Sequence, residues 1–299
     1  MGIIDPVKIS EKYRNELKKR VADFEIPLKV KGFIATDDKP SLSYANATKK
    51  AFEEIGFQYE LKKVPRLSLE SGILLANAEK DTHGIFIYFP VFGNEEDKYL
   101  RNLVAPEKDI EAGSFFWTRK LSKNDRYAFG NVQEKKALIP CTPLAIIKIL
   151  ADMKSYGNGR KPLNDKTVTI FNRSEVIGRP LAVLMSNDGA NVFSFDEHGP
   201  LLFKGGIPEE TEYKRADALK LSDIVVTGVP NKKFKKISIK ELKKNVTCIN
   251  FSTNQNFDKD VEDFALDFVP RVGPMTVTMC MRNAIRLYEN FFDYHAPAS

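Results

Sequence analysis

Apolar and polar positions in the second half of the chain follow two alternating periods. Residues 168–171 form a short β-rich run, residues 179–185 have apolar positions at helical spacing, and residues 190–195 form a second β-rich run. Short β-rich runs separated by a helical segment are typical of a βαβ unit. The pattern therefore predicts a strand, a turn, a helix and a second strand between Lys166 and Asp196.

Three more apolar runs follow this unit, at residues 222–228, 246–251 and 266–270. Runs this apolar suit a parallel sheet that is covered on both faces. Ligands in such sheets bind at the carboxyl ends of the strands. We therefore expect the segments after three of the strands to line one crevice. These segments are residues 172–178, 227–230 and 250–253.

The turn after the first strand carries part of a dinucleotide-binding signature. Such sites usually have a G-x-G-x-x-G turn, and an acid about 20 residues further on binds the adenosine ribose. Here Asn172 and Ser174 occupy the first two glycine positions, Gly178 remains as the close-packing glycine, and Asp196 provides the acid. The signature alone fits an NAD site and a plain βαβ unit equally well.

The first half of the chain shows a second α/β pattern. Its periodicities predict helices at residues 8–24, 41–55 and 69–79, and strands at residues 28–35, 57–64 and 84–89. Residues 121–136 are polar and poor in strand formers, so we interpret them as a long loop. A helix at residues 144–153 would link this half to the second.

These patterns predict an α/β protein of two domains, in agreement with the chain length of 299 residues. Residues 1–150 would form an N-terminal α/β domain, and residues 151–275 a Rossmann-type domain with a parallel sheet. A final helix within residues 276–299 would pack back on the first domain. A cleft between the two domains is where a cofactor and a second substrate would meet.

Composition and charge argue against several classes of protein. No apolar run reaches the roughly 18 residues of a membrane span. The net charge is +6, but basic and acidic residues are interleaved, so the basic residues at 232–236 are better explained as a solvated loop than as a nucleic-acid patch. The N-terminus lacks an apolar signal region and carries acids, which favours a cytoplasmic location. We expect neither nucleic acid nor a membrane as a partner.

The cysteines and histidines are too scattered to indicate a metal site. The three cysteines form no CxxC pair, and they are Cys141, Cys248 and Cys280. The three histidines are equally separated, and we interpret each as a surface or structural residue; they are His83, His198 and His295. We therefore expect no bound metal and no disulfide framework.

A few polar side chains in the first half are candidates for chemistry. Tyr44 and Thr48 are one helical turn apart and share a face. Tyr88 ends an apolar strand, and Asp109 and Glu111 flank one apolar residue. Each also has an ordinary structural explanation. The pair would be helix surface, the second tyrosine would be core, and the acids would belong to a solvated loop.

Six ordered segments change the weight of these alternatives. They are SYANATKKAFEEIGF (43–57), GIFIYFPV (84–91), APEKDIE (105–111), IPCTP (139–143), NRSEVIGRP (172–180) and VGPMTV (272–277). Together they resemble the methylenetetrahydrofolate dehydrogenase/cyclohydrolase family over nearly the whole chain. The resemblance implies a two-domain α/β subunit, usually dimeric, which binds a folate in the cleft against the nicotinamide of its cofactor.

Departures from the family pattern indicate which branch the chain resembles. Bifunctional members have a lysine where this chain has Thr48, a glutamine where it has Tyr88, an aspartate where it has Glu111 and a glycine where it has Asn172. These substitutions are similar to those of the fungal monofunctional, NAD-dependent branch. Lys49 points about 100° away from Thr48 on a helix and is a poor replacement for the missing lysine.

The resemblance implies roles for individual residues. On the folate side, Tyr44 would stack on or align the substrate, Thr48 and Tyr88 would line its pocket, and Glu111 would pair with the donor edge of the pterin. Two roles stay open for Asp109. It would either take part in the folate site or only brace the loop. The implied NAD-binding residues are Asn172, Arg173, Ser174, Val176, Gly178, Asp196, Thr227, Gly228, Pro230 and Thr276.

The function implied is NAD-dependent oxidation of 5,10-methylenetetrahydrofolate, in a polyglutamylated form, to 5,10-methenyltetrahydrofolate by a homodimer without cyclohydrolase activity. A bifunctional NADP-dependent enzyme and a catalytically silent nucleotide-binding protein are the alternatives. Asp196 favours NAD because it would repel a 2′-phosphate. Arg173 complicates this prediction, because NADP-dependent relatives use this position to hold the phosphate; Glu197 is a candidate for neutralising it.

Overall fold

The structure is a computed structural model that describes residues 2–129 and 135–292. The chain folds into two compact units. The first, which we call the eight-stranded unit, comprises residues 1–10, 121–124 and 142–276. The second, the three-stranded unit, comprises residues 11–120, 125–141 and 277–299. His295 and the end of the proposed C-terminal segment 276–299 lie outside the described residues.

The strands are β1 (Gly2–Ile3), β2 (Lys29–Ile34), β3 (Gln58–Lys63), β4 (Gly84–Ile87), β5 (Thr167–Phe171), β6 (Asn191–Asp196), β7 (Gly199–Lys204), β8 (Ile207–Glu210), β9 (Ile224–Thr227), β10 (Thr247–Asn250) and β11 (Asp267–Val269). The helices are α1 (Pro6–Ala22), α2 (Lys39–Glu54), α3 (Leu69–Ala78), α4 (Glu95–Leu103), α5 (Phe115–Ser122), α6 (Cys141–Asp152), α7 (Gly178–Asn187), α8 (Arg215–Leu221), α9 (Val261–Phe264) and α10 (Gly273–Phe291). Short 3₁₀ turns occupy Arg66–Ser68, Pro106–Lys108 and Ile239–Glu241.

The larger sheet has the strand order β1-β11-β10-β9-β5-β6-β7-β8. Strands β1, β11, β10, β9, β5 and β6 are parallel, as the apolar runs predict. Strand β5 lies between β9 and β6, so the strand order reverses beside it. In parallel α/β sheets such a reversal opens the crevice in which ligands bind.

The smaller sheet has the order β3-β2-β4 and is entirely parallel. All of β4 is buried, as its continuous apolar sequence predicts. Helix α2 begins at a cap, because the Asp38 carboxylate accepts a hydrogen bond from the Ser41 N–H at 2.9 Å. This cap fixes the start of the helix that carries Tyr44 and Thr48.

The domain limits proposed from the sequence differ from the compact units at four places, which are residues 1–10, 121–124 and 142–150 and Thr276. Residues 1–10 belong to the eight-stranded unit, because β1 pairs with β11 at the edge of that sheet. Residues 142–150 also group with this unit rather than with the N-terminal domain. Among the described residues, no helix is both long and apolar enough to cross a membrane.

Candidate functional site

The turn between β5 and α7 is shaped by a close approach of two backbone segments. Gly178 begins α7. A Cβ atom at this position would overlap the carbonyl oxygen of Asn172. Only glycine fits such an approach, so Gly178 has the packing role that the sequence predicts.

Asn172 opens this turn with an unusual backbone conformation. Its φ angle is 141°, in a region that favours glycine. Its side chain compensates with two hydrogen bonds. Nδ2 donates to the carbonyl oxygen of Gly228 at 2.8 Å, and Oδ1 accepts from the Ser174 N–H at 2.8 Å. Asn172 therefore joins the end of β5 to the end of β9.

Ser174 and Val176 lie in the same turn. The Ser174 hydroxyl oxygen accepts a hydrogen bond from the Gly178 N–H at 3.4 Å. The N–H of Val176 has no acceptor within residues 2–129 and 135–292. Free N–H groups at the start of a helix are the donors that bind a pyrophosphate.

The loop after β9 is held by a buried asparagine. Asn256 accepts hydrogen bonds from the Thr227 hydroxyl at 2.7 Å and from the Val229 N–H at 2.8 Å. Asn254 Nδ2 donates to the carbonyl oxygen of Pro230 at 2.5 Å. The loop after β10 thus supports the loop after β9, so the three predicted segments do meet at the carboxyl ends of their strands.

Asp196 ends β6, and its carboxylate pairs with Arg173. The distance between Arg173 Nη1 and Asp196 Oδ1 is 3.1 Å. Glu197 instead lies 3.7 Å from the His198 imidazole, and 87% of its side chain is exposed. The expectation that Glu197 neutralises Arg173 is therefore wrong, because the side chain of Glu197 points into solvent.

Thr276 is not brought to this group of residues by any contact of the described chain. It lies near the start of α10, where its hydroxyl donates to the Val272 carbonyl oxygen at 3.4 Å. The preceding segment does approach the sheet, because Asn250 Nδ2 donates to the Pro270 carbonyl oxygen at 3.3 Å. A role for Thr276 in cofactor binding stays a prediction.

In the three-stranded unit, a cluster of tyrosines surrounds the end of β4. Tyr88 is 7% exposed, and its hydroxyl lies 2.8 Å from the Tyr59 hydroxyl. The Tyr44 ring meets the Tyr88 ring edge-on at 6.0 Å between centroids, while 45% of Tyr44 is exposed. Burial raises the pKa of Tyr88 to about 12, so this phenol stays protonated at neutral pH.

Thr48 lies against both Tyr44 and Tyr88. Its hydroxyl lowers the pKa of each phenol, although burial has the larger, opposite effect. Thr48 itself is 1% exposed, and its Oγ1 atom makes no hydrogen bond within the described part of the chain. A buried hydroxyl without a partner is costly and is available to a ligand.

Glu111 completes this group with a carboxyl group whose pKa is strongly shifted. Burial, followed by the nearby Asp109 carboxylate, raises the pKa of Glu111 to about 8. The charge of Glu111 in turn raises the pKa of Tyr44 and Tyr88, which places all three near one another. The structure therefore brings Tyr44, Thr48, Tyr88 and Glu111 together.

Asp109 acts as a brace for the loop that follows it. Its carboxylate accepts hydrogen bonds from the Ser114 N–H at 2.8 Å and the Gly113 N–H at 3.4 Å. Burial raises the pKa of Asp109, and these bonds oppose that effect. The contacts favour the bracing role among the two that the sequence leaves open.

Asn283 is a supporting residue that sequence reasoning missed. It is fully buried on α10, and its Nδ2 donates to the carbonyl oxygens of Ile110 and Ile139, both at 3.1 Å. The Cys141 N–H donates to the carbonyl oxygen of Glu111 at 3.1 Å. Asn283 therefore holds the residue before Glu111 to the segment that leads into α6. The sequence signal was an asparagine among the apolar positions of α10, which indicates a buried polar side chain but does not identify its partners.

Tyr59 was also missed, although it shares a hydrogen bond with Tyr88. It is the apolar residue that β3 buries, at 4% exposure. A Cβ atom on Gly32 of the neighbouring strand β2 would overlap the Tyr59 ring. The glycine thus makes room for the tyrosine, a relationship between strands that sequence periodicity does not reveal.

Both halves of the chain match models of a single family. The model for the tetrahydrofolate dehydrogenase/cyclohydrolase catalytic domain matches residues 4–111. The model for the NAD(P)-binding domain of the same family matches residues 140–292. The chain belongs to the tetrahydrofolate dehydrogenase/cyclohydrolase family. The resemblance that the six sequence segments carry is thereby confirmed, together with the two-domain α/β fold.

Relatives within the family differ in how similar they are to this chain. A methylenetetrahydrofolate dehydrogenase [NAD(+)] from Schizosaccharomyces pombe is 39% identical over 94% of this chain and 91% of its own length. A bifunctional protein FolD from Exiguobacterium sibiricum is 27% identical over 95% of this chain and 98% of its own. The chain is thus more similar to the NAD-dependent relative.

A solved structure supports the same comparison. The NAD-dependent 5,10-methylenetetrahydrofolate dehydrogenase from Saccharomyces cerevisiae aligns with a TM-score of 0.89 and 35% identity, over 97% of each chain. The fold of this family member therefore matches that enzyme along nearly its whole length.

Proposed function

We propose that this family member oxidises 5,10-methylenetetrahydrofolate to 5,10-methenyltetrahydrofolate with NAD as the hydride acceptor. The observation that carries the proposal is the grouping of Tyr44, Thr48, Tyr88 and Glu111 near the end of β4. The high identity to NAD-dependent dehydrogenases of this family supports the same reaction and cofactor.

The folate would bind through Glu111 and the tyrosines. A pterin presents N–H donors along one edge, and a carboxylate can accept two of them at once. Because the pKa of Glu111 is raised to about 8, the free protein holds this group largely protonated at neutral pH. Binding of a donor edge favours the ionised form, so folate binding would release a proton from Glu111.

Hydride transfer from the one-carbon bridge needs no general base. The nitrogens that flank the bridge stabilise the methenyl cation, and no proton has to be removed. The protonated phenols of Tyr44 and Tyr88 are suited to shaping the pocket rather than to proton transfer. The contribution of the protein is therefore positioning and electrostatics.

The residues of the eight-stranded unit fit NAD. The N–H of Val176 is free for a pyrophosphate, Gly178 permits close approach, and the Oδ2 atom of Asp196 accepts no hydrogen bond in the described ranges. A carboxylate at this position can accept a hydrogen bond from an adenosine ribose hydroxyl. Bound NAD would supply the hydride acceptor, and these residues would hold its adenosine and pyrophosphate.

We also propose that the protein lacks cyclohydrolase activity. Opening the methenyl bridge with water requires proton transfers, and Thr48 cannot supply them as a lysine would. Lys49 is no substitute, because its ammonium group lies 3.7 Å from the Glu53 carboxylate on the outside of α2. The Tyr88 hydroxyl is occupied by Tyr59.

A spectrophotometric assay tests the proposal. NADH formation should depend on methylenetetrahydrofolate, and NADP should be used far less well. Efficient use of NADP with loss of the methenyl product would favour the bifunctional alternative. No turnover with either cofactor would favour a silent nucleotide-binding protein. Homodimer formation, which only the family resemblance supports, is tested by sedimentation of the purified protein.

A further inference from the structure

Arg173 and Asp196 occupy the corner at which β6 turns into β7. Besides its ion pair with Asp196, Arg173 donates from Nε to the Ser194 hydroxyl oxygen at 3.2 Å and from Nη2 to the Ser194 carbonyl oxygen at 2.7 Å. Nη2 also donates to the carbonyl oxygen of Gly199, which faces Asp196 across the hairpin. Only 10% of the Arg173 side chain is exposed. Most of its N–H groups therefore hold this turn together.

The same corner is where Rossmann-type sheets recognise the adenosine ribose. A carboxylate here accepts hydrogen bonds from the ribose hydroxyls of NAD, whereas a nearby arginine accommodates the 2′-phosphate of NADP. This chain has both side chains, and they bind each other. Because a guanidinium lies at ion-pair distance, the negative field of Asp196 is weaker than that of an isolated carboxylate. Repulsion alone is thus a poor basis for rejecting NADP.

The two oxygens of Asp196 have different surroundings. Oδ1 accepts from the His198 N–H at 2.9 Å and contacts Arg173. Oδ2 accepts no hydrogen bond within residues 2–129 and 135–292, and 21% of the side chain is exposed. One oxygen can therefore retain the arginine while the other accepts from a ribose hydroxyl.

We propose that Asp196 selects NAD mainly by holding Arg173 in the β6–β7 turn, where the guanidinium is withheld from a 2′-phosphate. The inference rests on the proposed NAD-dependent activity and makes Arg173 a second specificity-determining residue. A neutral side chain at position 196 would free Nη1, while Nε and Nη2 keep their bonds to Ser194 and Gly199. The freed Nη1 group, with the positive charge of the guanidinium, would then donate hydrogen bonds to a phosphate. Loss of the acid would then create a phosphate site rather than only remove a barrier.

A double-mutant cycle separates this explanation from simple repulsion. The kcat/KM values for NADP and NAD would be measured in wild type, Asp196→Ser, Arg173→Gln and the double variant. Asp196→Ser should raise the NADP/NAD ratio by about tenfold or more when Arg173 is present, because charge-assisted hydrogen bonds are worth that much. In the Arg173→Gln background the rise in kcat/KM for NADP itself should be absent, and only the part of the ratio that comes from the lost ribose hydrogen bond of NAD should remain. Equal rises in both backgrounds, within about twofold, would mean independent action and overturn the proposal.

A binding measurement covers the case in which Arg173→Gln loosens the turn. Calorimetry with adenosine 2′,5′-bisphosphate requires neither folate nor turnover. Asp196→Ser and Asp196→Asn, both with Arg173 intact, should bind this probe about tenfold more tightly than wild type, without a matching gain for 5′-AMP. Unchanged affinity for the bisphosphate overturns the proposal. Absence of NADH formation by wild type would instead contradict the proposed function and leave this comparison valid.

Discussion

The side chain of Asn172 donates a hydrogen bond of 2.8 Å to the carbonyl oxygen of Gly228 and so links the ends of β5 and β9. Asn172 has a φ angle of 141°, which is unfavourable for any residue with a side chain. The family's bifunctional members have glycine here, which removes the strain but cannot make this bond. The asparagine therefore stabilises the relative position of two loops that we propose to hold NAD.

Replacing Asn172 by glycine or alanine tests whether the hydrogen bonds of its side chain offset the strain of its backbone. Both variants lose the bonds to Gly228 and Ser174, at about 1 kcal/mol each. Only alanine keeps an unfavourable φ angle, so Asn172→Ala should be less stable than Asn172→Gly by roughly 1 kcal/mol or more. Urea unfolding of the two variants measures the difference. Equal stability would show that the backbone at Asn172 relaxes freely.

Sequence patterns predicted strands β2 to β6 and β9 to β11 but missed β1 and the hairpin β7–β8. The missed strands are only partly buried, so they lack a strong apolar pattern. The signal that was present is the Gly205-Gly206 pair, in which both residues have positive φ angles. A two-glycine turn between short strands is typical of a hairpin. The missed strand β7 matters because the β6–β7 turn that precedes it carries the contacts of Arg173.

Helices α4 and α5 were also missed, for a different reason. Helix α4 is highly charged and buries little apolar surface, so its start is marked mainly by the Asn94 cap. The candidate site was predictable where a resemblance named the residue, as for Glu111. Partners such as Tyr59 and Asn283 come from distant segments, and a single sequence contains no local signal for their contacts.

Glu111→Gln should weaken folate binding without changing NAD binding. The amide would present a donor to a pterin edge that already consists of donors, at a cost of roughly 1–3 kcal/mol. A cost of about 1.4 kcal/mol corresponds to a tenfold change in affinity. The KM for methylenetetrahydrofolate should therefore rise by tenfold or more. Glu107→Gln, on the preceding 3₁₀ turn, is the matched control. Wild-type folate affinity in Glu111→Gln would refute the pterin assignment.

The raised pKa of Glu111 also predicts how stability depends on pH. The folded protein holds a proton on Glu111 up to a pKa of about 8, whereas the unfolded chain releases it near the ordinary value of 4.5. Stability from this group is therefore full below pH 4.5 and is lost as the pH rises through about 8. Glu111→Gln lacks this loss, so its melting temperature relative to wild type should increase from pH 5 to pH 9 (roughly the span between the two pKa values). A constant difference would mean that Glu111 is not desolvated.

Thr48→Lys should not restore an efficient cyclohydrolase. The new amine would enter a buried position against Tyr44 and Tyr88, but the Tyr88 hydroxyl would remain bonded to Tyr59. We expect hydrolysis of methenyltetrahydrofolate by wild type at the buffer rate and at most a small gain in the variant. A general acid–base contributes roughly 10²–10⁴-fold, so a full gain of this size in Thr48→Lys would show that one residue accounts for the difference. The assay follows loss of methenyl absorbance.

The most direct test of the proposed activity follows the hydride itself. Methylenetetrahydrofolate deuterated at the one-carbon bridge would be incubated with the protein and NAD, and both products would be measured by mass spectrometry and absorbance. We predict one deuterium transferred to each NADH and an equal amount of methenyltetrahydrofolate. This product should be lost no faster than in buffer without the protein. Formation of NADH without deuterium, or removal of the methenyl product faster than in buffer, would contradict a dehydrogenase that acts by hydride transfer alone.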